Sequence, residues 1–252
     1  MIEHISAVMI TKDAEAHLQE SLESLKDFKE VIVYDTGSQD QTLKIAQKFP
    51  NVTIHQGPFI GFGPTKNKAA SLASNDWIFS IDSDEVVTPE LLATLQTLSL
   101  QPQKVYAIHR QNLFLGRPVH HGNWGNDWVK RLYNRSFTRF SDTQVHESLI
   151  ATEVEKLPGH LIHYAVDEVQ DFLLKTARYS KLPHPTPKKL HPVLAFGRAL
   201  WTFLRSYIIR AGFLDGGAGL VIAVSEFNGV FFKYIHGFYK DRLRIHDENL
   251  AH

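Results

Sequence analysis

Three carboxylates, Asp82, Asp84 and Glu85, fall within four residues, directly after the apolar run Trp77-Ile78-Phe79-Ser80-Ile81. Like charges at that density repel one another unless a cation sits among them or water solvates them freely. If the extended chain continues through the motif, Asp82 and Asp84 share a face and Ser83 points away. The pair then converges on one point, where phosphate oxygens and water complete a hard-cation octahedron of the Mg²⁺ or Mn²⁺ kind. A solvated acidic turn capping a helix at Thr88 accounts for the same residues. Glu85 fits either reading, as a partner of the pair or as the first charge of that cap.

The elements around the motif decide where such a group would sit. Residues 5–10 and 52–54 read as short strands, and residues 31–34 form the near-continuous apolar run of a strand buried on both faces. Residues 14–26 carry Leu18, Leu22 and Leu25 at helical spacing, with Asp13 placed to cap them. Residues 35–40 are dense in turn formers, and a helix with Leu43, Ile45, Ala46 and Phe49 follows. After a glycine-bearing loop at 57–64 come a helix at 65–74 and a strand at 77–82; Thr88-Pro89 then opens another helix. This alternation predicts an α/β fold, a mostly parallel sheet flanked by helices. Ligands in such sheets bind at the carboxyl ends of strands, where Thr11, the turn at 35–40 and Asp82 to Glu85 all fall.

From about 104 to 165 strands at 105–108, 129–133 and 161–164 alternate with long loops, a length that usually carries function. A helical segment runs from 167 to about 181, and a linker bearing Pro183, Pro185, Pro187 and Pro192 follows. Two apolar helical stretches, 193–211 and 216–240, complete a C-terminal helical extension. The expected organisation is one domain at 1–165, with halves at 1–100 and 101–165, and an extension at 166–252.

Lys plus Arg equals Asp plus Glu, 27 each in 252 residues, so nothing global favours nucleic acid as a partner. The absence of cysteine excludes a disulfide framework and Cys-ligated zinc, and fits a reducing cytoplasm. Residues 1–12 lack a basic segment followed by a long apolar one, so no signal peptide is expected. Nor does any run reach the roughly 18 uninterrupted apolar residues of a spanning helix; residues 218–232 are broken by Glu226 and Asn228. The 14 histidines contain no compact three-ligand set, and His160 and His163, three apart on a strand, face opposite sides, which argues against zinc.

Ser80-Ile81-Asp82-Ser83-Asp84-Glu85, preceded by Asp35-Thr36-Gly37-Ser38-Gln39-Asp40-Gln41-Thr42, resembles the inverting GT-A glycosyltransferases of family 2. Phe114-Leu115-Gly116-Arg117, His121-Gly122-Asn123-Trp124, Val145-His146-Glu147 and the run from Arg210 to Gly217 are similar to its lipopolysaccharide-core glucosyltransferase branch. The resemblance implies that Thr11 and Asp35 hold the base and ribose of a nucleotide sugar, with Lys66 a further donor contact. Asp82 would meet ribose or donor sugar, and Asp84 a Mg²⁺ or Mn²⁺ bridging the two phosphates, with Asp82 as the second carboxylate of the metal pair. Asp13 departs from the family's usual Asn. Inversion requires a general base for the acceptor hydroxyl; Glu147 ranks first, then Asp142 and Asp127. His121, Trp124 and Arg131 are the expected acceptor contacts.

The implied reaction moves glucose from UDP-glucose to a heptose of a lipid-linked lipopolysaccharide core. The implied location is cytoplasmic, on the inner face of a bacterial inner membrane. Residues 193–244 carry seven Lys or Arg against three acids beside heavy apolar content, which suits contact with an anionic leaflet or packing in a homo-oligomer. Two other readings stay open: a sugar nucleotidyltransferase, which would need a glycine-rich basic loop after the first strand, and a non-catalytic membrane-associated scaffold of the same fold.

Overall fold

The computed structural model of the chain describes residues 1–142, 148–151, 153–170, 172, 174 and 190–250, with side chains through residue 239. They form two compact units: Met1–Gln111 with Asp127–Ala165, and Asn112–Asn126 with Val166–His252.

In the first unit β1 (Ile5–Thr11), β2 (Val31–Asp35), β3 (Val52–Gln56) and β4 (Trp77–Ser80) lie parallel in the order β3-β2-β1-β4. Helices α1 (Leu18–Ser24), α2 (Thr42–Ala46) and α3 (Phe62–Ala70) alternate with them, and α4 (Pro89–Thr97) follows the short strand β5 (Glu85–Val87). Every residue of β2 is buried. Val31 and Val33 join one apolar cluster with Leu18, Leu22 and Phe79, while Ile32 and Tyr34 join a second with Ala69 and Tyr133. Alternate side chains of one strand thus feed two cores, as a sheet covered on both faces requires.

The second half of the sheet attaches antiparallel. It contains β6 (Val105–Phe114), β7 (Arg117–Pro118), β8 (Asp127–Asn134) and β9 (Val154–Val166). Strand β8 pairs with both β4 and β6, and β9 with β5, giving the order β3-β2-β1-β4-β8-β6-β9-β5. The expected α/β fold is present, with its first four strands lying parallel.

Two local expectations are corrected. Asp13 does not cap α1: it adopts φ 48°, and the helix begins only after His17. Asp13 instead accepts from Gln39 N at 2.8 Å and gives its own N–H to Ser38 Oγ at 2.9 Å, tying the first two strand ends together. The fourth strand stops at Ser80, short of the acidic motif. The cap at Thr88 is present, its hydroxyl accepting from Leu91 N.

The second unit contains α5 (Pro192–Leu204), a π turn at Arg205–Ile209, a 3₁₀ turn at Gly212–Asp215 and the 35-residue α6 (Gly216–Leu250). Helix α5 packs along α6. By length and composition the stretch Gly212–Tyr239 is apolar enough to cross a membrane, despite the interruptions at Glu226 and Asn228. The expected prolines 183, 185 and 187, and most of the helix expected at 167–181, lie outside the described residues.

Candidate active site

At the ends of β1 and β2, Asp35 is buried and its oxygens are spent on the turn that follows. Gly37 N and Ser38 N donate to Oδ2 at 3.0 Å each, the Ser38 hydroxyl bonds Oδ1, and Thr11 Oγ1 lies 3.4 Å from Oδ1. Burial works to raise its pKa, but the Ser38 side chain and the two backbone donors outweigh that and hold the carboxyl below its usual range. Gly37 takes φ 101°, a conformation that favours glycine and folds the turn back over the carboxylate. A donor contact from Asp35 would exchange one of these bonds.

At the end of β4 the chain turns. Glu85 N donates to Asp82 O and Asp82 N to Glu85 Oε2, both at 3.1 Å. The alternation expected for an extended Asp82-Ser83-Asp84 therefore does not hold, and the three carboxylates diverge. Glu85 is fully buried, bonded by Arg131 and 3.3 Å from Arg110 Nη1. Asp82 pairs with Arg131 and, at 3.2 Å, with Lys66 Nζ. Asp127 takes Arg110 at 2.7 Å and 2.8 Å. Burial alone would raise the pKa of Asp82, but Arg131 and then Lys66 hold it far below the carboxylate range.

Three acids and three bases thus satisfy one another: Asp82, Glu85 and Asp127 against Lys66, Arg110 and Arg131. Asp84 stands outside the balance, half-exposed, with His163 Nε2 at 3.6 Å from Oδ2 and its carbonyl accepting from Tyr164 N. Of the two carboxylates expected to hold a metal, Asp82 already faces two cations, whereas Asp84 faces only a histidine among the described residues. Among the described residues no three His, Asp or Glu side chains group as a metal site.

Arg131, expected to meet an acceptor, is only 4% exposed and committed to Asp82 and Glu85. Lys66 is buried as well, with the Phe140 ring 5.2 Å away, and Asn67 beside it exchanges bonds with Phe140 N and O. Of the candidate bases, Asp127 is bound to Arg110, Asp142 is exposed beside Arg139 at 3.4 Å, and Glu147 lies outside the described residues.

His121 and Trp124 belong to the second unit. Asp215 accepts from His120 N at 3.3 Å and His121 N at 2.8 Å, and its Oδ1 lies 2.9 Å from His121 Nδ1. That contact fixes the ring orientation through Nδ1. Trp124 packs edge-on against Phe172. The sequence pattern did not single out Arg110 and left Glu85 open between a partner of the acidic pair and the first charge of a cap; its burial against Arg110 and Arg131 favours the former. Their partners lie far along the chain, and only the Glu85-Val86-Val87 alternation hinted that Glu85 faces inward.

Comparison with known proteins adds four findings. The family model described as glycosyl transferase family 2 matches residues 6–154. An uncharacterized glycosyltransferase of Rickettsia conorii is 28% identical over 250 residues, 89% of this chain and 86% of that one. The lipopolysaccharide core biosynthesis glycosyltransferase LpsC of Rhizobium meliloti is 25% identical over 239 residues, 87% and 88% of the two chains. Among solved structures, residues 1–349 of S. aureus TarS in complex with UDP align with 95% of this chain and 91% of that one, at TM-score 0.48 and 14% identity.

Proposed function

The chain belongs to glycosyltransferase family 2, and from that premise we propose that it transfers glucose, with inversion, from UDP-glucose to a heptose of a lipid-linked lipopolysaccharide core. The likeness to LpsC supports the acceptor class. The observation that carries the reading is the charge balance at the end of β4, in which Asp84 is the one carboxylate of the motif with no Lys or Arg partner among the described residues.

In this mechanism the turn after β2, shaped by Asp35 and Thr11, receives the base and ribose. Lys66 and Arg131 fix Asp82, which faces ribose or the donor sugar. Asp84 would hold Mg²⁺ or Mn²⁺, which when bound would offset the charge of the departing nucleotide. His121, oriented by Asp215, meets an acceptor hydroxyl, and Trp124 offers a ring face to the sugar. The base that takes the acceptor proton is Glu147, with Asp142 next. Asp127 ranks last because Arg110 already occupies one of its oxygens. Transfer to a lipid-linked sugar places the protein on the inner face of a bacterial inner membrane.

The test is a mass-shift assay of the purified protein with nucleotide sugars and truncated lipopolysaccharide. Gain of one hexose by the acceptor, dependent on Mg²⁺ or Mn²⁺, is expected. Donor binding without transfer would favour the scaffold, and pyrophosphate release from a nucleoside triphosphate the nucleotidyltransferase. Glu147→Gln should keep donor binding and lose roughly 10²- to 10⁴-fold in transfer; near-normal turnover would pass the role to Asp142.

A further inference from the structure

Helices of a water-soluble unit hide their large apolar side chains and display small and charged ones. The α5–α6 hairpin does the reverse. Its buried residues include Ala195, Ala199, Ile222 and Ala223, and at Gly219 an added Cβ would fall 1.8 Å from Gly212 O. Its large side chains face outward, with Val193 70%, Ile209 63% and Leu214 60% exposed. Small residues between helices and large ones outside are the arrangement of helices that meet lipid. An apolar surface of this extent on a soluble unit marks an interaction site.

Charge says what covers it. The two acids of the hairpin whose side chains are described both turn onto the loop at residues 120–123. Asp215 holds His120 and His121, and Glu226 accepts from Asn123 Nδ2 at 2.7 Å, while Asn123 Oδ1 takes Arg210 Nη1 at 2.7 Å. Arg198 and Arg205 remain exposed. At helical spacing Leu194, Arg198, Trp201 and Arg205 form one stripe, beside a second of Val193, Leu200 and Leu204. The outward face is therefore apolar with positive charge interleaved, the complement of anionic lipid. A second copy would bring arginines against arginines.

We infer that the α5–α6 hairpin lies in the plane of an anionic leaflet, its apolar stripes at the acyl boundary and Arg198 and Arg205 at the phosphates. Through Asp215 and Glu226 it carries the 120–123 loop at the lipid surface. The assignment deepens the acceptor reading and rests on it for its purpose, though not for its physics. Passage of α6 through the bilayer is disfavoured, because it would drag the Glu226–Asn123–Arg210 cluster and the attached loop into hydrocarbon.

The test is co-sedimentation of the full chain with vesicles of phosphatidylcholine, alone or mixed with phosphatidylglycerol. Binding to the mixed vesicles is expected to exceed binding to the neutral ones. Arg198→Glu with Arg205→Glu should abolish the preference, and Trp201→Glu with Ile209→Glu should weaken partition roughly tenfold or more. Trp201 and Ile209 are exposed, so circular dichroism and melting of their variant should not change. Equal binding to both vesicle types would overturn the inference, as would none to either. So would a dimer that the Trp201→Glu/Ile209→Glu variant disperses, or retention in native membranes after alkaline extraction, which would mean a spanning helix. Partition reads no chemistry: a protein that binds vesicles and transfers no sugar refutes the proposed function alone.

Discussion

Asp82 and Asp84 stand two residues apart and face different surroundings. Asp82 is pinned between Lys66 and Arg131, whereas the Asp84 carboxylate is half-exposed and, among the described residues, pairs with His163. Asp84→Ala should therefore abolish metal-dependent donor binding and transfer while leaving the melting temperature unchanged, read by calorimetric titration of UDP with and without Mn²⁺. Unaltered turnover would remove the metal assignment. Arg131 calls for the opposite outcome. Arg131→Ala leaves buried Glu85 with Arg110 as its remaining cation, and losing one partner of a buried pair costs about 3–5 kcal/mol. Urea denaturation should show that loss, and a change under ~1 kcal/mol would mean the cluster relaxes into water. The acidic motif itself was legible in the sequence, because its three carboxylates crowd the end of an apolar run. The burial of Glu85 was not, because Arg110 and Arg131 lie 25 and 46 residues further on. No local pattern couples such positions.

The same division holds for elements. The parallel strands and their helices were readable because each buried run is apolar at every position or at helical spacing. The end of β4 was not, since an extended run and a turn share the same residues, and what selects the turn is the Asp82–Glu85 bond pair that Arg131 supports. The reach of β6, β8 and β9 was underestimated for a related reason: their outer halves are polar and gain order from pairing rather than from composition. One position shows how closely β9 meets α4. Gly159 takes φ 83°, and a Cβ there would lie 2.4 Å from Leu91 N, while Thr88 Oγ1 bonds His160 O at 2.7 Å. Gly159→Ala should cost about 2 kcal/mol or more from strain and displacement together. Thermal melting checks this, and a neutral substitution would mean the strand can slide from the helix at no cost.

Over the whole molecule the charges cancel, 27 against 27, so the response to pH comes from how individual carboxylates are held. Asp35 and Asp82 have depressed pKa values: burial opposes ionisation, but hydrogen bonds at Asp35 and the Arg131 and Lys66 charges at Asp82 prevail. Their stabilisation is present above the unfolded carboxylate value, about 3.9, and is lost as pH falls through the lower folded value. Glu226 is shifted the other way, raised by burial that its bonds to Ser206 and Asn123 and the nearby arginines only partly offset. Its contribution is present below the unfolded glutamate value, about 4.3, and is lost as pH rises through the folded one. Melting temperatures between pH 7 and pH 3 separate the two. Wild type should lose stability below about pH 4, where the depressed carboxylates begin to bind protons. Asp35→Asn should melt lower at pH 7 and show a shallower acid decline, because the anion that the Ser38 and Gly37 donors favour is gone. Glu226→Gln should melt higher at pH 7 and lose that advantage in acid, where the wild-type carboxyl is itself neutral. An Asp35→Asn curve running parallel to wild type would show that its turn is held by shape alone, and a Glu226→Gln variant destabilised at pH 7 would show that the ionised form is the one Asn123 and Arg210 require.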